Sequence, residues 1–274
     1  MPTFHHDGID FPYHDAGTGL PIAFQHGLSG DFTKILDVFD EPQGFRLISF
    51  DARYHGKTRP LGPPEKIGFN QSADDLLALL DHLKIDGAVI GGISMGAGIA
   101  LNFATRYPQR VLGLILSRPA WLDEPLPDSL RMFPEMAGLI RTHGAKAARD
   151  VFAASPTYAK VLAESTDSAS AVLGMFEDPT CEETVDRFER IPRDCPSRDR
   201  SAWRSIHAPT LVLANHQDPI HPYTMGPDLA REIPGAELRT LTPKCVDIEA
   251  HNRDFNRHVQ EFLHRHFSNR LGQA

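Results

Sequence analysis

Cysteine is scarce in this chain, basic residues never run together, and no apolar stretch is long. The three cysteines, Cys181, Cys195 and Cys245, are odd in number and lack C-x-x-C spacing. That excludes a disulfide framework or a zinc site as the organising device and fits a reducing compartment. No apolar run approaches the roughly 18 residues that span a bilayer. Residues 1–15 are polar, carry His5, His6 and His14, and lack the apolar core of a signal peptide. The expected location is therefore cytoplasmic. With 28 Lys and Arg against 36 Asp and Glu, the formal net charge is −8, which argues against nucleic acid or an anionic membrane as partner. The 14 histidines are scattered without an H-E-x-x-H or similar ligand spacing, so neither a metal nor another cofactor is expected. The sequence leaves the oligomeric state open.

What is present is ordinary for a globular protein: 274 residues, 41% hydrophobic and 23% charged, enough to bury a sizeable core without staples. Strand-like and helix-like stretches alternate. A hairpin is predicted over 3–13, turning at Asp7-Gly8, with a loop over 15–19 and strands over 21–25 and 45–50. Leu76, Leu77, Leu79, Leu80 and Leu83 fall at helical spacing in 72–83. A strand over 87–93, a helix over 96–107 closed by Pro108, and a wholly apolar strand over 111–116 follow. From about 119 to 203 nothing reads as a strand, and amphipathic helical stretches are broken by Pro and Gly. Strands over 210–213 and 238–241 then alternate with helices over 223–233 and 252–267, the last with an apolar stripe of Phe255, Val259, Phe262, Leu263 and His266. The pattern predicts an α/β fold with a mostly parallel central sheet flanked by helices. This core comprises 1–118 and 204–274, and the 119–203 insertion is too long for a bare loop and is expected to form a helical cap.

The strongest local signal is Gly92-Ile93-Ser94-Met95-Gly96, between an apolar strand and a helix of small residues. A serine at the tip of such a turn is lifted off the sheet at a helix N-terminus, and the flanking glycines are needed because a Cβ there would strike neighbouring backbone. His26-Gly27-Leu28 ends an earlier strand. An acyl-transfer site needs two N–H donors for the developing oxyanion, and Leu28 and Met95 are the candidates. His26 reads as a residue that organises its loop. A serine needs a base, and the base an acid to fix its tautomer. Asp218 follows one late strand and is the expected acid, with Asp247 and Asp123 as rivals. His251 follows the next strand and is the expected base. His216 and His221 flank Asp218 and are its rivals, but they read as part of a polar loop on the wrong strand to meet Ser94 from the opposite side.

These motifs resemble the α/β-hydrolase fold, over about residues 3–118 and 205–267. The resemblance rests on the His26-Gly27 loop, the Gly92 to Gly96 elbow, the chain order Ser94, Asp218, His251, and Asp51-Ala-Arg-Tyr-His55-Gly56-Lys-Thr58. That last stretch is similar to the family's D-x-R-G-H-G-x-S loop, with Tyr54 for its first Gly and Thr58 for its Ser. It implies a structural role for Asp51, Arg53 and His55. Ser94 argues against the branches with Asp at the elbow, dehalogenases and epoxide hydrolases, and the HGGG signature of one lipase and esterase branch is lacking.

The resemblance implies a serine esterase or lactonase acting through an acyl-enzyme on a small or mid-sized organic molecule, a macrolactone included. Two other chemistries share the layout: carbon–carbon hydrolysis of ring-cleavage products, and perhydrolase or acyltransferase activity. A catalytically silent ligand sensor is the non-enzymatic alternative. Trp121, Phe133 and Met136 of the insertion are candidate pocket residues. Arg118 could pair with an acidic substrate group or hold the cap by a salt bridge.

Overall fold

The computed structural model describes residues 1–40 and 43–270. Eight strands form one sheet in the order β1-β2-β4-β3-β5-β6-β7-β8. They are β1 (Thr3–His6), β2 (Ile9–Gly17), β3 (Leu20–Gln25), β4 (Phe45–Phe50), β5 (Ala88–Ile93), β6 (Val111–Ser117), β7 (Thr210–Ala214) and β8 (Glu237–Thr240). The β1–β2 and β2–β4 pairings are antiparallel, and all others are parallel. The expected hairpin turns at Asp7 and Gly8, both with positive φ. Its second strand runs on to Gly17 through most of the expected 15–19 loop, because Tyr13 to Gly17 pair with β4.

The helices are α1 (Thr33–Leu36), α2 (Phe69–His82), α3 (Met95–Arg106), α4 (Met132–Ala153), α5 (Pro156–Glu164), α6 (Thr166–Gly174), α7 (Asp186–Arg190), α8 (Met225–Glu232) and α9 (Ile248–Phe267). Alternation along the parallel strands divides the core between two faces, as strand geometry requires. Ile22, Phe24, Val89, Ile115, Leu211 and Leu213 pack with Ile35 of α1 and with Phe255, Val259, Phe262 and Leu263 of α9. Ala23, Ile90, Leu114, Leu116 and Val212 face the other way, into the cluster containing α2 and α3.

Among the described residues, the chain between β6 and β7 is helical or irregular and contains no strand. Its longest element, α4, is broken at Gly144 (φ 74°, ψ 158°), where a left-handed φ suits glycine. In this segment Phe133 stacks on Phe188 and Phe152 packs against Phe176, within the same apolar cluster as α2 and α3. The segment is tied to the loop after β4 by the buried Arg187, whose Nη1 donates to the Tyr54 carbonyl (3.2 Å), while its Nη2 donates to Asp178 of the same segment (2.6 Å). No helix among the described residues is long and apolar enough to cross a membrane.

Candidate active site

The site lies at the C-terminal edge of the parallel strands, where side chains from several loops converge. Ser94 sits between β5 and α3 with φ 58° and ψ −114°, a strained conformation for a residue with a Cβ. The elbow closes only because its flanks are glycine. A Cβ on Gly92 would lie 2.3 Å from the Gly96 carbonyl carbon, and one on Gly96 would lie 2.1 Å from the Gln25 carbonyl oxygen. Gly27 brings the loop after β3 alongside, and a Cβ there would be 3.4 Å from the Ser94 Cβ.

That loop is clamped from behind. The His26 Nε2 accepts the Ala52 N–H (3.0 Å), while its Nδ1 donates to the Gly27 carbonyl (2.8 Å). Asp51 accepts the Phe32 and Lys57 N–H groups (3.0 and 2.8 Å), and the His55 Nε2 lies 3.1 Å from the Leu28 carbonyl. Arg53 forms a buried pair with Asp75 at 2.7 Å. Tyr54, where the resembled motif carries glycine, does adopt a glycine-like φ of 62°, and its hydroxyl donates to the Gly62 carbonyl at 2.8 Å. These groups frame the loop and touch no reacting atom. The amide N–H groups of Leu28 and Met95 have no acceptor among the described residues, so both remain available to an anion.

The histidine facing Ser94 is His221. Its Nε2 lies 2.9 Å from the Ser94 Oγ, and its Nδ1 lies 3.0 Å from each oxygen of Asp218. The loop after β7 builds this pair locally, because Asp218 Oδ1 also accepts the N–H groups of Ile220 and His221 (3.2 Å each), an Asx-type turn. The expectation for His251 is corrected here. Asp247 caps α9 by accepting the Ala250 N–H at 2.9 Å, so the helix begins at Ile248 and takes His251 into its first turn. There His251 is buried and its Nδ1 donates to the Thr242 carbonyl at 2.7 Å, with no hydrogen bond to Ser94 or Asp218. Among the other rivals, Asp247 is occupied as that cap, Asp123 pairs with Arg200 at 2.7 Å, and His216 stacks on Tyr223.

Arg118 completes the cluster. It follows β6 with φ 47° and donates its N–H to Leu213 of β7. Its Nε and Nη2 donate to Asp218 Oδ2 at 3.0 and 2.6 Å. It therefore pairs with Asp218 and not with a carboxylate of the insertion. Burial opposes ionisation of Asp218, but the charges of His221 and Arg118 outweigh it and hold the carboxyl well below its usual range. For His221, burial lowers the pKa, Asp218 raises it and Arg118 lowers it again, leaving it below the ordinary value. Burial, and then Arg118, push His251 down to about 4.

A cavity of about 270 Å³ opens over Ser94. The helical segment between β6 and β7 contributes Trp121, Phe133, Asp167 and Met175 to its wall. Met136 does not line it: one turn further along α4 it is fully buried in the apolar core. Lys244, in the loop after β8, also lines the cavity and was not singled out in the sequence. A lone lysine in a Pro-Lys-Cys stretch gives no periodic or motif signal.

The family model described as "alpha/beta hydrolase fold" matches residues 21–245. The chain is 26% identical over 238 residues to a bifunctional esterase/perhydrolase of Acinetobacter calcoaceticus, covering 83% of this chain and 85% of that one. It is 28% identical over 255 residues to a 2-hydroxymuconate semialdehyde hydrolase of Pseudomonas sp. (strain CF600), with coverage of 85% and 83%. Among solved structures it is similar to Est816, described as an N-acyl homoserine lactone degrading enzyme. That likeness has a TM-score of 0.72 and 27% identity, over 95% of this chain and all of the other.

Proposed function

The chain belongs to the alpha/beta hydrolase fold family, and from that premise we propose that it hydrolyses a carboxylic ester or lactone of a small to mid-sized organic molecule through an acyl-enzyme. The observation that carries this reading is the 2.9 Å contact between Ser94 Oγ and a histidine whose other nitrogen rests on a buried carboxylate. Ser94 attacks the carbonyl. His221 takes its proton through Nε2 and returns it to the leaving alcohol, then activates the water that releases the acid. Asp218 fixes the Nδ1–H tautomer and stabilises the imidazolium. The Leu28 and Met95 amides receive the oxyanion. The helices between β6 and β7 act as a cap over the cavity and limit substrate size.

The test is steady-state hydrolysis of an ester panel, from p-nitrophenyl acetate through longer acyl chains to lactones and macrolactones. Turnover by the wild type and loss of it in Ser94→Ala are expected. A folded wild type that hydrolyses no ester yet labels with a fluorophosphonate would redirect the search to carbon–carbon bonds. The similarity to the semialdehyde hydrolase supports that second reading.

The same assignment predicts a pH dependence. Only neutral His221 can accept the serine proton, so kcat/KM should fall on the acid side with a midpoint below about 6.5. Arg118 disfavours the imidazolium. Removing its charge in Arg118→Gln raises the His221 pKa and should move the acid limb to higher pH. The midpoint reads this whatever the variant's absolute activity, and an unmoved limb would show that His221 is not the titrating base.

A further inference from the structure

The loop after β8, from which the base was expected, presents an amine to the cavity instead. Lys244 is only partly exposed and lines the same cavity as Ser94 and His221. Among the described residues its ammonium has neither a hydrogen bond nor an ion-pair partner, in a protein whose other cavity-lining cations are matched: Arg118 by Asp218 and Lys34 by Asp37. A cation removed from bulk water and left unmatched is costly unless something arrives to pair with it. The charged and titratable groups around it come from three directions. Asp167 faces it from the helical segment, Arg118 from the end of β6, and Asp218 with His221 from the loop after β7; His251 adds a further neighbour in α9. Neither carboxylate makes a hydrogen bond or ion pair with it among the described residues, although the charge of each favours the ammonium. Asp218 is committed to Arg118 and His221, and Asp167, in the first turn of α6, faces Lys244 without a direct contact.

We propose that Lys244 is a substrate-recognition residue, and that the ester or lactone cleaved here carries a second, ionised carboxylate which pairs with it. The inference rests on the Ser94 reading and narrows its substrate class to half-esters of dicarboxylic acids and acid-bearing lactones. The cavity offers two unlike walls for such a molecule. Trp121, Phe133 and Met175 receive its apolar part, and Lys244 receives its charged end while the other carbonyl lies at Ser94. Burial, and then the Arg118 charge, push Lys244 down to about 8, so at neutral pH it remains mostly an ammonium and can act as a cation. A carboxylate contact would strengthen that charge state.

Binding tests this independently of turnover. Ser94→Ala protein is titrated calorimetrically with monobutyl glutarate and with its neutral methyl butyl diester, in the Lys244, Lys244→Arg and Lys244→Met backgrounds. Expected is at least a tenfold preference for the half-ester with Lys244, retained in part by Lys244→Arg and abolished in Lys244→Met, with little change for the diester. Equal binding of the two ligands, no measurable binding of the half-ester, or an undiminished preference in Lys244→Met would each overturn the proposal. In the Ser94 protein, p-nitrophenyl hydrogen glutarate and p-nitrophenyl butyrate then separate the two claims. Loss of both turnovers with the binding preference intact counts against the esterase reading alone. A Lys244→Met effect confined to kcat on both esters, with binding unchanged, would make Lys244 a charge acting on His221 and not a recognition residue.

Discussion

Glutamine in place of His221 is expected to lower kcat/KM by about 10³-fold or more, the scale on which a positioned base contributes. Glutamine at His251 should leave activity within about threefold, as for a substitution that touches no reacting atom. The contrast follows from what each ring faces. His221 bridges Ser94 and Asp218, and glutamine there can offer a hydrogen bond but no proton acceptor. His251 donates to the Thr242 carbonyl, so its loss removes one buried hydrogen bond, worth about 1 kcal/mol of stability. Fluorophosphonate labelling rates should rank the variants in the same order, since phosphonylation also needs the serine proton removed. The reverse order, with His251→Gln inactive and His221→Gln active, would return the base to α9.

Asp218→Asn should retain the fold and lose about 10⁴-fold in kcat. The carboxylate serves two donors, His221 Nδ1–H on one side and the Arg118 guanidinium on the other, and a carboxamide cannot accept on both. With its oxygen toward Arg118, its NH₂ faces His221 and forces the tautomer with a proton on Nε2, which cannot accept one from Ser94. With its oxygen toward His221, the NH₂ opposes the guanidinium and leaves a buried cation unmatched. Either arrangement predicts a stability loss alongside the kinetic one, about 3–5 kcal/mol for breaking a buried pair, read as a shift in the denaturant midpoint. Near-normal turnover in folded Asp218→Asn would displace Asp218 from the mechanism.

Where sequence and structure agree and part follows the physics of each element. The parallel strands were legible because they are short apolar runs bounded by turn residues, and β4 spans the expected 45–50. The elbow was legible because its glycines answer a backbone constraint that no other residue meets. Four-residue α1 was not, since Thr33–Leu36 is too short to show a period. The two histidines were the hard case. Both follow strands whose ends reach the same crevice, and strand order alone cannot choose between them. Two local signals do. Asp247, with Glu249 in the first turn of the helix, is an N-cap pattern that starts α9 before His251 and commits that ring to the helix. Asp218 three residues before His221 is an Asx-turn pattern that folds the histidine back over its own carboxylate. Arg118 was a candidate in the sequence, but its pairing with Asp218 was not legible there, because that approach depends on a left-handed φ.

Asp218 and His221 share a single turn of four residues, and its consequence is a division of labour among the loops. The spacing between acid and base is set by covalent geometry and the turn's own hydrogen bonds, so it does not depend on how two separate loops happen to pack. Variation in the stretch after β8, or in the helices that roof the cavity, leaves the proton-transfer pair in register. On the proposed function, the segments that line the cavity can therefore change without disturbing the acid–base geometry.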